Sequence, residues 1–188
     1  MNLVATSGRP RPRLLVCLDL QQANAPGGDD PESQAVRLRL ANCRRVLEHA
    51  RAWGWDIVHV HRRRGLEGRR SRPITGLEPR LCEPVMSRDG VSAFSCRSFR
   101  DLVDGAHDAQ IVLIGFCLAS SCLATLFAAH DRGLTALIVG DAVAAGSSAT
   151  LGAGEIESVV LSIAASFAQA ISTDQLIGRR PAPQLVVV

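Results

Sequence analysis

The stretch from Ile111 to Ala144 constrains this chain most. An apolar run ends at Gly115, a short loop of small residues follows, a helical pattern runs to Gly133, and a second apolar run ends at Asp141. The order is strand, loop, helix, strand. Two strands joined by a helical crossover pair in parallel, and the crossover is right-handed. Parallel α/β sheets bind ligands at the carboxyl ends of their strands. Ser120, Ser121 and Cys122 sit at that edge, where the backbone N–H groups opening a helix favour negative charge.

The remaining elements follow from periodicity. Arg13 to Leu20 reads as a buried parallel strand, an apolar run broken by one acid. Pro31 to Trp53 is a long amphipathic helix, with Asp29 or Asp30 as cap and Pro31 at its first position. Trp55 to His61 is a second strand, Glu83 to Ser87 a short third one, and Phe94 to Val103 a short helix with Ser95 as candidate cap. After the central unit, whose parts are strand Ile111–Gly115, helix Ser121–Arg132 and strand Thr135–Gly140, come a helix from about Gly154 to Gln169 and a short strand at Ala170 to Ser172. Residues 1–12 read as a loose arm, 62–80 as a long basic loop, and 181–188 as an apolar tail. The expected fold is a three-layer α/β/α sandwich with a mostly parallel central sheet, one domain over residues 1–188.

Composition narrows the chemistry. All 21 basic residues are arginine and tyrosine is absent, so proton transfer falls to Asp, Glu, His or Cys. A net charge of +3, spread along the chain, gives no footprint for nucleic acid. No apolar run approaches the roughly 18 residues of a membrane span, and the first residues lack the apolar stretch of a leader. Six cysteines without a C-x-x-C pair fit free thiols in a reducing cytoplasm. His59 and His61 alternate on a strand and share a face, but no third ligand has suitable spacing, so no metal is expected.

Three residues stand out. Asp19 ends an apolar strand, where a lone carboxylate is costly unless paired or useful. Ser121 begins a helix after a strand and is either a nucleophile beside an oxyanion hole or an N-cap. Arg88, like Arg62 to Arg64, follows a strand end and is suited to a bidentate contact with a carboxylate, or lies on the solvated surface. Cys117 and Cys122 flank Ser121, as reactive thiols or as core residues.

Taken together, LLVCLDLQQ with Asp19 and Gln21, SRDGVSAFSCRSFRDLV with Ser92 to Phe94, and the block from Gly115 to Ala144 with Thr125 resemble the isochorismatase-like hydrolase superfamily, also called cysteine hydrolases. The resemblance implies a triad of Asp, Lys and Cys. Asp19 matches, the Lys position falls on Arg88, and the Cys position falls on Ser121, six residues after Gly115 and twelve before Gly133. Cys122 misses each anchor by one, which turns a helical side chain by about 100°. The resemblance also implies a cis peptide at Phe116–Cys117 and places Gln21, Phe116, Cys117 and Cys122 as substrate-binding or oxyanion residues. The function implied is hydrolysis of a small amide, carbamoyl or vinyl-ether substrate at an atypical Asp/Arg/Ser site, without cofactor, in a homo-oligomer, a dimer or tetramer. The alternative is a catalytically inactive ligand-binding or protein-interaction module. A further alternative moves the nucleophile to Cys117 or Cys122.

Overall fold

The computed structural model describes residues 13–63, 65, 67–106, 108–145 and 151–178. The arm expected over 1–12 and the tail at 181–188 lie outside them. Six strands form one sheet: β1 (Arg13–Leu18), β2 (Asp56–Arg62), β3 (Val85–Arg88), β4 (Gln110–Phe116), β5 (Ala136–Ala144) and β6 (Gln169–Ile171). Their order is β3-β2-β1-β4-β5-β6, and every pairing is parallel.

The pleat sends alternate residues to opposite faces, which is why β1 is apolar throughout. Leu14, Val16 and Leu18 pack on one side with Phe99 and Val103 of α2 (Arg97–Gly105), Leu126 and Ala129 of α3 (Leu123–His130), and Val160 and Ala164 of α4 (Ala153–Ala164). Leu15 and Cys17 pack on the other with Cys43, Val46, Leu47 and Ala50 of α1 (Pro31–Ala52) and Leu176 of α5 (Thr173–Gly178). Burial on both faces makes the expected three layers.

Several boundaries differ from the sequence reading. Asp30 is the cap of α1, accepting from the Ser33 N–H at 2.9 Å, while Asp29 pairs with Arg37. α2 starts at Arg97 because the Ser92 hydroxyl accepts from the Phe94 N–H and holds Ala93–Ser95 in a tighter 3₁₀ turn; Ser95 caps nothing. α4 stops at Ala164, and α5 was not foreseen. β5 runs through Asp141 rather than ending there: the register jumps from Leu113↔Ile138 to Gly115↔Val143, a bulge that carries the strand past the acid. The Asp141 carboxylate then accepts from both the N–H (2.7 Å) and the hydroxyl (2.8 Å) of Thr173, which opens α5.

The basic segment after β2 is more than a loop. Ile74 and Leu77 are buried beside α1, and the Ile74 N–H donates to Leu20 O at 3.0 Å. Its far end carries Glu83, a buried carboxylate bonded by Arg51 (2.7 and 2.8 Å), His59 (3.0 Å) and the Arg80 N–H (3.0 Å). These contacts overcome its burial and hold the Glu83 carboxyl down at about 2, below its ordinary 4.5. Burial, aided by His59, holds neighbouring His61 at about 4 instead of 6.5. Both groups are depressed in the folded state, so both contribute stability at neutral pH that is lost on acidification. His61 acts between pH 6.5 and 4, and Glu83 between pH 4.5 and 2. Each is worth roughly 3 kcal/mol at 1.36 kcal/mol per pH unit. Urea unfolding at pH 7 and pH 5 is therefore expected to show a marked loss for the wild type and a much smaller one for His61→Leu. Equal losses in the two proteins would contradict the assignment.

Candidate active site

The sheet order reverses between β1 and β4, so the connections leave the two strands in opposite directions and open a crevice beyond their carboxyl ends. Asp19 follows β1 at that point. Its N–H donates to Val60 O (3.0 Å), its own carbonyl accepts from the Asn24 side chain (2.8 Å), and its φ is +52°. The left-handed region is one that Asp tolerates better than most residues. Across the crevice, β4 approaches β1 so closely that Gly115, at φ +127°, has no room for a side chain. The chain then turns through Cys117, at φ +62°, into a single π-turn, Leu118–Cys122, ahead of α3. Such wide turns recur at functional sites.

No peptide bond among the described residues is cis, so the cis bond expected at Phe116–Cys117 is not found. The reversal after β4 is made by the two positive-φ residues instead. The expected helix start at Ser121 moves as well, because the π-turn occupies 118–122 and α3 begins at Leu123.

Asp19, Arg88 and Ser121 meet in this crevice, with 1%, 1% and 4% of their surfaces exposed. One guanidinium nitrogen of Arg88, Nη2, donates both to Asp19 Oδ2 and to Ser121 Oγ, the latter at 2.7 Å. Its Nη1 donates to Gly90 O. Asp19 Oδ1 is buried with no partner among the described residues. Burial pushes the Asp19 carboxyl above the ordinary carboxylate range, while Arg88 and the Ser121 hydroxyl pull the other way. A buried carboxyl with one oxygen unpartnered among the described residues and a pKa raised by burial is suited to proton transfer. Ser121 lacks the usual activation: its oxygen accepts from Arg88, and no histidine among the described residues bonds it.

The flanking residues divide. Gln21 is buried, and its amide is fully occupied: Oε1 accepts from the Arg62 N–H (2.9 Å), and Nε2 donates to the carbonyls of Arg62 and Ser71 (both 3.1 Å). It clamps main chain on both sides of Arg62. Cys122 is fully buried and its thiol donates to Phe116 O at 3.3 Å, so it faces the core, and burial raises its pKa well above the ordinary thiol value. Phe116 is a strand residue packed against α1's side of the sheet. Cys117 is only partly buried and lies near enough to Asp19 to feel its charge, but burial raises its thiol too. The N–H groups of Ser120 and Cys122 both donate to Cys117 O, at 3.0 and 3.3 Å, and are committed within the turn.

Thr125, part of the resemblance in the Gly115–Ala144 block, braces the site. Its hydroxyl donates to Ser121 O (2.7 Å) and accepts from the Ala93 N–H (3.0 Å), tying the segment after Arg88 to the turn that carries Ser121.

These residues lie inside a stretch, 13–175, that matches the isochorismatase domain family model. The chain belongs to the isochorismatase domain family. No curated protein sequence matches it. Among solved structures, the isochorismatase family fold recurs in an isochorismatase from Pseudomonas putida KT2440, 24% identical, covering 88% of this chain and 92% of that one at a TM-score of 0.79. A cysteine hydrolase from Pseudomonas syringae pv. phaseolicola is 16% identical over 89% of this chain and 92% of its own, at 0.74. N-carbamoylsarcosine amidase from Thermoplasma acidophilum is 20% identical over 87% and 97%, at 0.70. At these identities the likeness establishes the fold. Among the described residues no helix is long and apolar enough to cross a membrane.

Proposed function

We propose that this isochorismatase-family chain hydrolyses a small molecule by proton transfer from Asp19, without a covalent intermediate, and that a vinyl ether is the substrate class best matched to it. The observation that carries this reading is the free, buried Oδ1 of a carboxyl whose pKa is raised. The family's Lys position corresponds to Arg88 and its Cys position to Ser121 in this reading. Arg88 is effectively always charged and shuttles no proton. It holds Asp19 and the Ser121 hydroxyl in place.

The step balances simply. Protonated Asp19 delivers its proton to the terminal carbon of the C=C bond, whose electron pair forms the new C–H bond. The ether oxygen shares its lone pair with the adjacent carbon, giving an oxocarbenium ion beside the Asp19 carboxylate. Water adds to that carbon, loses its proton to Asp19, and the hemiketal collapses to a ketone and an alcohol. Ser121 forms no bond to carbon.

The test is turnover of 2-phenoxyacrylate in deuterated water. Pyruvate carrying one deuterium on its methyl group is expected, with phenol as the second product. Asp19→Asn is expected to lower the rate by about 10²–10⁴-fold, the usual contribution of a general acid. Because the acid form reacts, the rate should fall as pH rises through the Asp19 pKa. Rapid mass labelling of Ser121 by electrophilic amides, or full activity in Asp19→Asn, would overturn the mechanism. Absence of turnover across vinyl ethers, amides and carbamoyl compounds, with ligand binding retained, would favour the inactive binding module.

A further inference from the structure

Among the described residues, Arg62, Arg63 and Arg88 gather around the carboxyl ends of β2 and β3 and differ sharply in their commitments. Arg88 is bound to Asp19, Ser121 and Gly90. Arg63 points outward and forms a two-point pair with Asp89. Arg62 is different. Its main chain is locked on both sides by the Gln21 amide, yet its guanidinium makes no hydrogen bond or ion pair among the described residues, and its Nε is buried and unpartnered.

Register fixes the face from which that side chain leaves. Arg62 pairs directly with Arg88 across β2 and β3, so the two side chains leave the same face of the sheet from strands about 4.8 Å apart. That is the face on which Arg88 meets Asp19. Arg62 is also close enough to the Asp19 carboxyl and the Cys117 thiol to favour their charged forms. Arg88 is in contact with Asp19, whereas no carboxylate among the described residues pairs with Arg62, which leaves Arg62 as a positive charge without an acidic partner. A partly desolvated, unpaired guanidinium is costly in an empty protein and favourable only once an anion meets it.

We propose that Arg62 is the specificity-determining residue of this crevice, recognising a carboxylate on the substrate through its planar fork, and that Gln21 is the positioning residue that aims it. The assignment rests on the crevice being the substrate site, and it names the substrate class: carboxylate-bearing small molecules rather than neutral ones. A guanidinium fits a carboxylate with two parallel N–H···O bonds, which an ammonium cannot reproduce.

Binding of non-reactive probes separates this assignment from the proposed chemistry. The probes are 2-phenoxypropanoate and its neutral counterpart 2-phenoxypropanamide, titrated calorimetrically into the full-length protein. Wild type is expected to bind the carboxylate about 30-fold more tightly, the factor of one charge-assisted pair, with the preference shrinking as salt is raised. Arg62→Gln should reduce the preference to less than about threefold, chiefly by weakening binding of the carboxylate. Arg62→Lys should retain part of it, and Gln21→Leu should weaken it with thermal unfolding monitored alongside. A preference unchanged in Arg62→Gln, or no preference in the wild type, including no binding of either probe, overturns the assignment. Selective carboxylate binding without any turnover of 2-phenoxyacrylate would leave Arg62 in its role and refute the proposed hydrolysis instead.

Discussion

Gly115→Ala is expected to be severely destabilising. A Cβ on residue 115 would lie 1.9 Å from Leu18 O and 2.8 Å from Leu18 C, both backbone atoms of the neighbouring strand. No rotamer change relieves a clash with main chain. The φ of +127° adds a second penalty, because side-chain-bearing residues almost never adopt it. Relief requires β4 to move away from β1, which breaks ladder hydrogen bonds at the centre of the sheet and pulls the Ser121 turn off Asp19. The cost is on the order of 4–5 kcal/mol, a large share of the about 5–15 kcal/mol that stabilises a typical domain. Expression with circular dichroism and urea unfolding would measure it. A variant with wild-type stability would mean that the close approach of β1 and β4 is not as described. Gly140→Ala, where the nearest atom is the flexible Leu161 side chain at 3.5 Å, is the matched control and should cost far less.

Arg88→Met is expected to be the second severe change, for an electrostatic reason. It leaves the Asp19 carboxyl buried beside Ser121 with no cation in contact. Removing one partner of a buried pair costs about 3–5 kcal/mol, more than the intact pair contributes over an apolar replacement. Asp19 can escape part of this penalty by taking up a proton. Its pKa, already raised by burial, should rise further without Arg88, so the destabilisation should be larger at pH 8 than at pH 5. The double variant Asp19→Asn with Arg88→Met removes both charges and should recover most of the loss. Urea unfolding of the two single variants and the double at both pH values closes the cycle. Additive losses would show that Asp19 and Arg88 do not depend on each other. Activity offers no shortcut here, since all three variants damage the crevice.

The sequence carried a large part of the site, and specific residues show why. Asp19 was conspicuous as one acid closing an apolar strand. The family resemblance places its Cys position on Ser121 by the spacing from Gly115 and Gly133, and both glycines have positive φ in the structure, +127° and +68°. The same resemblance places its Lys position on Arg88 through the Ser92–Phe94 segment, and Thr125 ties that segment to the site by bonding Ala93 on one side and Ser121 on the other. The misreadings are equally specific. Helix α5 is six residues long and leans on Asp141, 32 residues earlier, so no local signal announced it. The bulge that carries β5 through Asp141 depends on its pairing with β4, which no window on β5 alone contains. The turn at Cys117 uses backbone angles that cysteine rarely adopts.

What the sequence determined by itself was the kind of element each segment forms, the parallel character of the sheet, and the residue types that its carboxyl edge presents. Apolar spacing and crossover length encode these, and both are local properties of the chain. Tertiary structure alone decided which of those residues a ligand can reach. Gln21 and Arg62 are 41 residues apart, and strand register makes one the clamp of the other. The same register turns Arg88 inward to neutralise Asp19 and leaves Arg62 uncommitted beside it, because hydrogen bonds and charge are shared out only when strands meet side by side.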